Sequence, residues 1–388
     1  MKYFETLPKM KDVYESEKRK LFTVVSTFAG CGGSSTGYRL AGANILAINE
    51  FIPAAIETYK VNYPNTIIFP EDIRELTGQI ILDKVGLKKG ELDLLDGSPP
   101  CASFSISGKR EKGWGKVKKY SDTEQRTDDL FFEFIRILNE IQPKVFVAEN
   151  VEGLTLGGAL NLLGTKQNDL FGEHEKTFLY HFEQCGYRVQ YHILNARDFG
   201  VPQRRSRLII IGVRQDLEIA PSFPLPWITK RVTVREALEG VENSEKDIEE
   251  SKKGLTEGYE TYKYVIQLKP GESGSKYHPK GSYFSLTRLE WDKECNTVLQ
   301  SHGHTGGCAC IYPDENRRLT IKEIKRVCSF PDDFILTGDF NQQWERCGRA
   351  VPPLFMRAIA NNVYENIIKK IREKEGIIVE EDINVEDL

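Results

Sequence analysis

Residues 21–40 read LFTVVSTFAGCGGSSTGYRL: a β-branched apolar run, then Phe28-Ala29-Gly30-Cys31-Gly32-Gly33, then a helix-length segment over 35–40. A strand that ends in a glycine-rich turn and passes into a helix is how a doubly wound α/β sheet begins, with its ligands at the carboxyl ends of strands. Working outward, further apolar β-type runs occur at 45–49, 92–96, 145–149, 189–194 and 208–213, separated by helix-length segments. One of these, 128–141, keeps Leu130, Phe131, Phe134, Ile135 and Leu138 at helical spacing behind Asp128 and Asp129 at the N-cap. Strands alternating with helices predict a doubly wound, mostly parallel sheet of Rossmann type with a second, smaller domain.

The chain divides accordingly. We expect an N-terminal extension over 1–20, a main domain over 21–215 and a small domain of irregular or β character over 216–300. A return to the main domain over 301–375 and an acidic tail over 376–388 complete the division. The last part resumes helix at 321–328 behind Thr320 and again at 353–374.

Composition excludes several classes. With 388 residues and 40% hydrophobic content the chain can bury a large core. No apolar run nears the roughly 18 residues of a membrane helix, and residues 1–12 lack a secretory hydrophobic region, so a cytoplasmic chain is expected. Eight cysteines in such a chain are expected as free thiols. The net charge of −4 gives no sign of a nucleic-acid partner, so any positive field must be local.

The candidate chemistry lies at predicted strand ends. Glu50 follows the glycine turn by about twenty residues, the spacing at which a nucleoside-bearing cofactor meets an acid for its ribose hydroxyls. That spacing does not distinguish NAD from S-adenosylmethionine. Asp96-Gly97-Ser98-Pro99-Pro100-Cys101 then sets a thiol on a proline-stiffened turn after a strand, a placement suited to a nucleophile. Downstream, Glu149-Asn150-Val151 ends a strand, and Gln203-Arg204-Arg205-Ser206-Arg207 enters one with two arginines on a common face.

The glycine turn with Phe28, Pro-Pro-Cys, Glu-Asn-Val and Gln-x-Arg-x-Arg occur in the order found in cytosine-C5 DNA methyltransferases of the bacterial restriction-modification type, which this chain resembles over nearly all of its length after residue 20. The resemblance implies a Rossmann-like methyltransferase fold using S-adenosylmethionine. It places Phe28 and Phe51 near the adenine, the backbone around Gly30 and Gly32 at the methionine part, Glu50 on the ribose and Asp72 on the adenine amino group. Ile73, Pro99, Leu130 and Ala350 would line the same pocket, and no metal is expected.

The implied catalytic residues are Cys101, Glu149, Arg205 and Arg207. Cytosine C5 is a poor nucleophile, and a thiolate of Cys101 adding at C6 makes it enamine-like. Glu149 would hold a proton at N3, and Arg207 with Arg205 beside it would meet O2 and phosphate or loop groups. C6 is approached from the ring face, so the base must be flipped from the duplex. Residues 108–119, with six basic residues among three glycines, look like the lid that closes on it; Ser105, Lys109, Arg110, Lys112 and Lys116 are the expected DNA contacts.

By the same resemblance 216–300 is the target-recognition domain, where Arg231, Lys263, Lys276, Lys280 and Arg288 are candidates for DNA contact. The segments 318–320, 330–334 and 348–353 match the family's closing motifs, except that Arg349 stands where the family usually has asparagine, which puts the cofactor contact there in doubt. His302, His304, Cys308 and Cys310 could ligate zinc, but their spacing is too tight for a closed site, and they read as strand residues near the domain junction. Duplex DNA is the expected partner of a monomer, with a cognate restriction endonuclease acting separately. Three other readings stand beside this one: a transfer-RNA cytosine methyltransferase, a NAD-dependent oxidoreductase and a non-catalytic DNA-binding relative.

Overall fold

The computed structural model describes residues 3–100, 118–120, 123–125, 129–155, 177–226, 230–279, 281, 286–303 and 308–377. In chain order the strands are β1 (Phe22–Thr27), β2 (Ala43–Asn49), β3 (Ile67–Phe69), β4 (Leu94–Gly97), β5 (Lys118–Tyr120), β6 (Thr123–Gln125), β7 (Val145–Val151), β8 (Tyr187–Asn195) and β9 (Ser206–Arg214). Strands β5 and β6 form a separate antiparallel pair, and the other seven make one sheet in the order β3-β2-β1-β4-β7-β9-β8. Neighbours from β3 to β7 run parallel, whereas β9 runs antiparallel to both β7 and β8. All six predicted apolar runs are strands of this sheet; β3, three residues long, has no counterpart among them.

The central strands carry apolar side chains on both faces because both faces are covered. Val24, Leu94, Val145, Val147, Ile209 and Ile211 point into one core, and Val25, Leu95, Phe146, Ala148, Leu208 and Ile210 into the other. Helices Gly33–Leu40 and Pro353–Val363 cover the first face, the latter continuing through a π-helical turn, Tyr364–Ile368, into Lys369–Lys374. Helices Gly78–Val85, Leu130–Ile141 and Phe178–Gln184 cover the second, the last two stacking Phe131 on Phe178 at 4.1 Å between ring centres.

The N-terminal extension carries a helix, Met10–Glu17, whose Met10 amide donates to Asp333 Oδ1 at 2.9 Å. Helix Ile321–Val327 opens with a capping box between Thr320 and Glu323. Within 216–300 the described residues form three short α-helices, Val234–Leu238, Glu245–Lys252 and Tyr262–Val265, and a 3-10 turn, Gly274–Lys276; strand character there is limited to isolated bridges. Val234, Leu255, Val265 and Leu286 of this stretch belong to the same buried cluster as the first sheet face. Among the described residues no helix is long and apolar enough to cross a membrane.

Candidate active site

Four strand ends converge where the strand order reverses between β1 and β4, the place at which open α/β sheets bind ligands. β1 delivers the glycine turn, β4 the Pro99-Pro100 turn and β7 Glu149-Asn150. The antiparallel β9 brings its beginning to this edge, with Arg207 in register with Val151. A cavity of about 400 Å³ opens there, within the range of small-molecule sites.

The glycine turn forms one wall. Phe28 holds φ at +54°, a left-handed conformation that costs a non-glycine residue roughly 1 kcal/mol. Gly30 and Gly32 follow at +59° and +99°. Phe28 and Gly30 line the cavity; Gly32 does not, since a Cβ there would stand 3.1 Å from the Tyr59 ring, and Gly33 and Ser34 occupy the wall beyond it.

The opposite acid is fully engaged with the backbone. Glu50, 7% exposed, accepts from the Gly30 amide at 2.7 Å through Oε2 and from the Ile52 amide at 2.7 Å through Oε1. Each oxygen keeps a lone pair for a further donor. Phe51 beside it is 37% exposed and faces the cavity, an uncovered ring of the kind a planar ligand would cover. Asp72 and Ile73 complete this side. Arg74 donates to Asp72 Oδ2 at 2.8 Å and to Asp129 Oδ1 at 2.6 Å, so it ties the Asp72 loop to the start of helix Leu130–Ile141 and brings Leu130 to the wall. Asp129 therefore pairs with Arg74 and makes no side-chain cap.

The remaining wall carries the polar residues of β7 and β9. Glu149 is 8% exposed and lies 2.8 Å from Arg207 Nε. Burial lowers the Arg207 pKa while Glu149 holds it up. Arg205, 2% exposed, donates to the carbonyls of Val298, Gly348 and Arg349 at 3.2, 3.1 and 3.4 Å, and so clamps the start of β9 to the closing motif. Burial and the charge of Arg207 pull the Arg205 guanidinium down to about 9. Pro99 and Ala350 also line the cavity. At position 349 the guanidinium pairs with Glu345 at 2.5 Å along one helix face.

Several contributors were missed by sequence reasoning. Asn150 donates to the Pro99 carbonyl at 3.1 Å and accepts from the Val151 amide at 2.9 Å, holding the proline turn against the end of β7. Arg346 also lines the cavity. Asp96 is buried beneath the proline turn; burial pushes its carboxyl up to about 7, against hydrogen bonds from Ser26 and Tyr38, and the charge of Glu149 pushes it further up. An acid closing an apolar run in the sequence 92–96 was the available signal.

Cys101, Ser105, Lys109, Arg110, Lys112 and Lys116 lie outside the described residues, as do Lys280 and His304. Within 216–300, Arg288 is scaffold: it is 5% exposed and donates to the carbonyls of Val265, Leu268, Tyr312 and Glu315. Arg231 sits 3.5 Å from both Asp198 and Glu294, Lys263 lies 3.7 Å from Glu260 and Lys276 pairs with Glu272. Cys308 and Cys310 are buried; Cys310 Sγ lies 3.8 Å from Cys295 Sγ, and the Cys310 amide donates to Cys308 Sγ. Among the described residues no group of three or more side chains is set to hold a metal.

Residues 22–365 match the sequence profile of the family described as C-5 cytosine-specific DNA methylase. The chain is 32% identical over 353 residues to the Type II methyltransferase M1.HphI of Haemophilus parahaemolyticus, covering 88% of this chain and 86% of that one. It is 30% identical to the Type II methyltransferase M.Sau96I of Staphylococcus aureus, over 90% of this chain and 77% of that one. The Dnmt2 methyltransferase of S. pombe shares the fold, with a TM-score of 0.58 at 17% identity over 92% of this chain and 99% of that one. The chain belongs to the C-5 cytosine-specific DNA methylase family.

Proposed function

We infer that this enzyme transfers a methyl group from S-adenosylmethionine to C5 of a cytosine flipped out of duplex DNA, with Cys101 as the nucleophile. The observation that carries the reading is one cavity lined by both Glu50 with Phe51 and Glu149 with Arg207, a nucleoside-binding side facing a base-binding side.

The wall fits the donor. The uncovered Phe51 ring suits a purine, the spare lone pairs of Glu50 suit ribose hydroxyls and Asp72 suits an amino group. When bound, S-adenosylmethionine supplies a methyl group on a positively charged sulfur. The chain supplies the rest. The Cys101 thiolate adds at C6 and places electron density on C5, Glu149 holds a proton at N3 and Arg207 meets O2. After methylation, water takes the C5 proton as the C6–S bond breaks with its electron pair on sulfur, which restores the ring and frees the thiolate.

Five of the other cysteines support the assignment by their environment. Burial pushes the thiols of Cys31, Cys308 and Cys328 up to about 12 and lifts Cys347 well above the ordinary thiol range, and the contact with Cys295 together with burial does the same for Cys310, so these five do not supply a thiolate near neutral pH.

In this reading 21–215 and 301–375 form the catalytic domain and 216–300 reads the target sequence. The relatives named as Type II methyltransferases support a protective role against a separately acting endonuclease in the cytoplasm. Mixed-sequence DNA incubated with enzyme and S-adenosylmethionine, then mapped for 5-methylcytosine at base resolution, is expected to show methylation at one recurring sequence, and none on an RNA duplex of matched sequence. DNA without 5-methylcytosine, or protection against unfolding by NAD in place of S-adenosylmethionine, would overturn the reading.

A further inference from the structure

Asp96 is 1% exposed in the middle of the sheet, where an apolar side chain would pack at no desolvation cost. Its partners come from the elements that build the other half of the site. Ser26, its register partner on β1, donates to Oδ2 at 2.6 Å, and Tyr38, on the helix opened by the glycine turn, donates to Oδ1 at 3.1 Å. Thr27 adds a bond from Oγ1 to the Asp96 carbonyl at 3.1 Å. Ser26 and Tyr38 are both fully buried. Three residues after Asp96 comes Pro99, and two residues after Ser26 comes Phe28.

We propose that Asp96 is a positioning residue for methyl transfer: through Ser26 and Tyr38 its carboxyl locks the strand bearing the Pro99-Pro100 turn to the strand and helix bearing the glycine turn, holding nucleophile and methyl donor in one register. The inference rests on the functional reading above and adds a residue to it. Two turns on neighbouring strands could each be well formed and still slide by a fraction of an ångström. A misplacement of that order slows reaction without preventing binding. The contact geometry makes the clamp specific, since the two carboxyl oxygens divide between two separate elements.

The test is single-turnover methyl transfer by the full chain at saturating DNA and S-adenosylmethionine, with the dissociation constants of both measured alongside. Asp96→Val is expected to lose about tenfold or more in rate while both dissociation constants stay within about threefold; Asp96→Asn, which keeps the volume and an acceptor, is expected to recover most of the rate. Hydrogen exchange at the Gly97 and Ser98 amides is expected to quicken in Asp96→Val, a change read without any methyl transfer. If Asp96→Val does not fold, the Ser26→Ala/Tyr38→Phe protein, which deletes both donors, is expected to show the same pattern. Variants with wild-type rate, a loss confined to the dissociation constants, or unchanged exchange would overturn the proposal. A wild-type protein that methylates no cytosine, with exchange altered in the variants, would instead overturn the functional reading and leave the clamp standing.

Discussion

Arg207 Nε lies 2.8 Å from Glu149 Oε1 across the junction of β7 and β9, with the two side chains 12% and 10% exposed. The pairing depends on β9 running antiparallel: its first residues, in register with the last of β7, bring a guanidinium to the carboxylate at the cavity edge. Each residue therefore determines where the other's charge sits. Glu149→Gln is expected to lower the methyl-transfer rate by about 10²- to 10⁴-fold, the usual contribution of a positioned acid, with DNA binding retained. A double-mutant cycle with Arg207→Ala is expected to fall short of additivity by on the order of 1 kcal/mol or more, and additive losses would show the pair to be uncoupled.

Glu50 joins one wall of the cavity to the fold through two backbone amides. In Glu50→Gln one carboxylate oxygen becomes an NH2 that faces an N–H donor, so the unliganded protein is expected to lose about 1–3 kcal/mol. The rise in melting temperature on adding S-adenosylmethionine should also shrink by more than half. A variant with the full wild-type rise would remove Glu50 from the cofactor site.

Helix Gly33–Leu40 meets helix Pro353–Val363 at Gly37, where a Cβ would stand 2.6 Å from both the Pro353 carbonyl oxygen and Met356 Cβ. Helix propensity alone favours alanine there. The crossing reverses the sign, and Gly37→Ala is expected to destabilise by about 1–3 kcal/mol, read as a lower urea midpoint at unchanged slope.

Asp96 makes stability depend on pH. Burial holds its carboxyl up to about 7 in the folded protein, while in the unfolded chain it titrates in the ordinary carboxylate range. Between those values the folded state keeps a proton that the unfolded state has released. The resulting stability is fully present below the ordinary range and is lost as pH rises toward 7. Asp96→Asn cannot ionise, so its melting temperature relative to wild type is expected to rise from pH 5 to pH 8. An unchanged difference between the two values would show that Asp96 does not titrate in this window.

Much of this was legible from residue order, for identifiable reasons. β1, β4 and β7 carry apolar-rich runs that lead into a glycine turn, a proline turn or an acid, and such runs need no tertiary knowledge. β3 escaped because three residues carry no periodicity, and the direction of β9 because side-chain pattern does not encode strand polarity. The cavity acids were visible as strand-end residues, but the carbonyl contacts of Arg205 reach residues more than ninety positions away. Arg288 shows the same limit: it looked like a surface contact, and only the fold brings its backbone carbonyl acceptors to it.

The most direct measurement uses duplex DNA with 5-fluorocytosine, whose fluorine cannot leave C5 as the proton does, so the adduct formed during methyl transfer persists. With S-adenosylmethionine present, the wild-type protein is expected to give a denaturation-resistant complex whose mass spectrum places the base on the peptide bearing Cys101, and Cys101→Ser to give none. A complex formed equally well by Cys101→Ser, or an adduct on another residue, would contradict the mechanism.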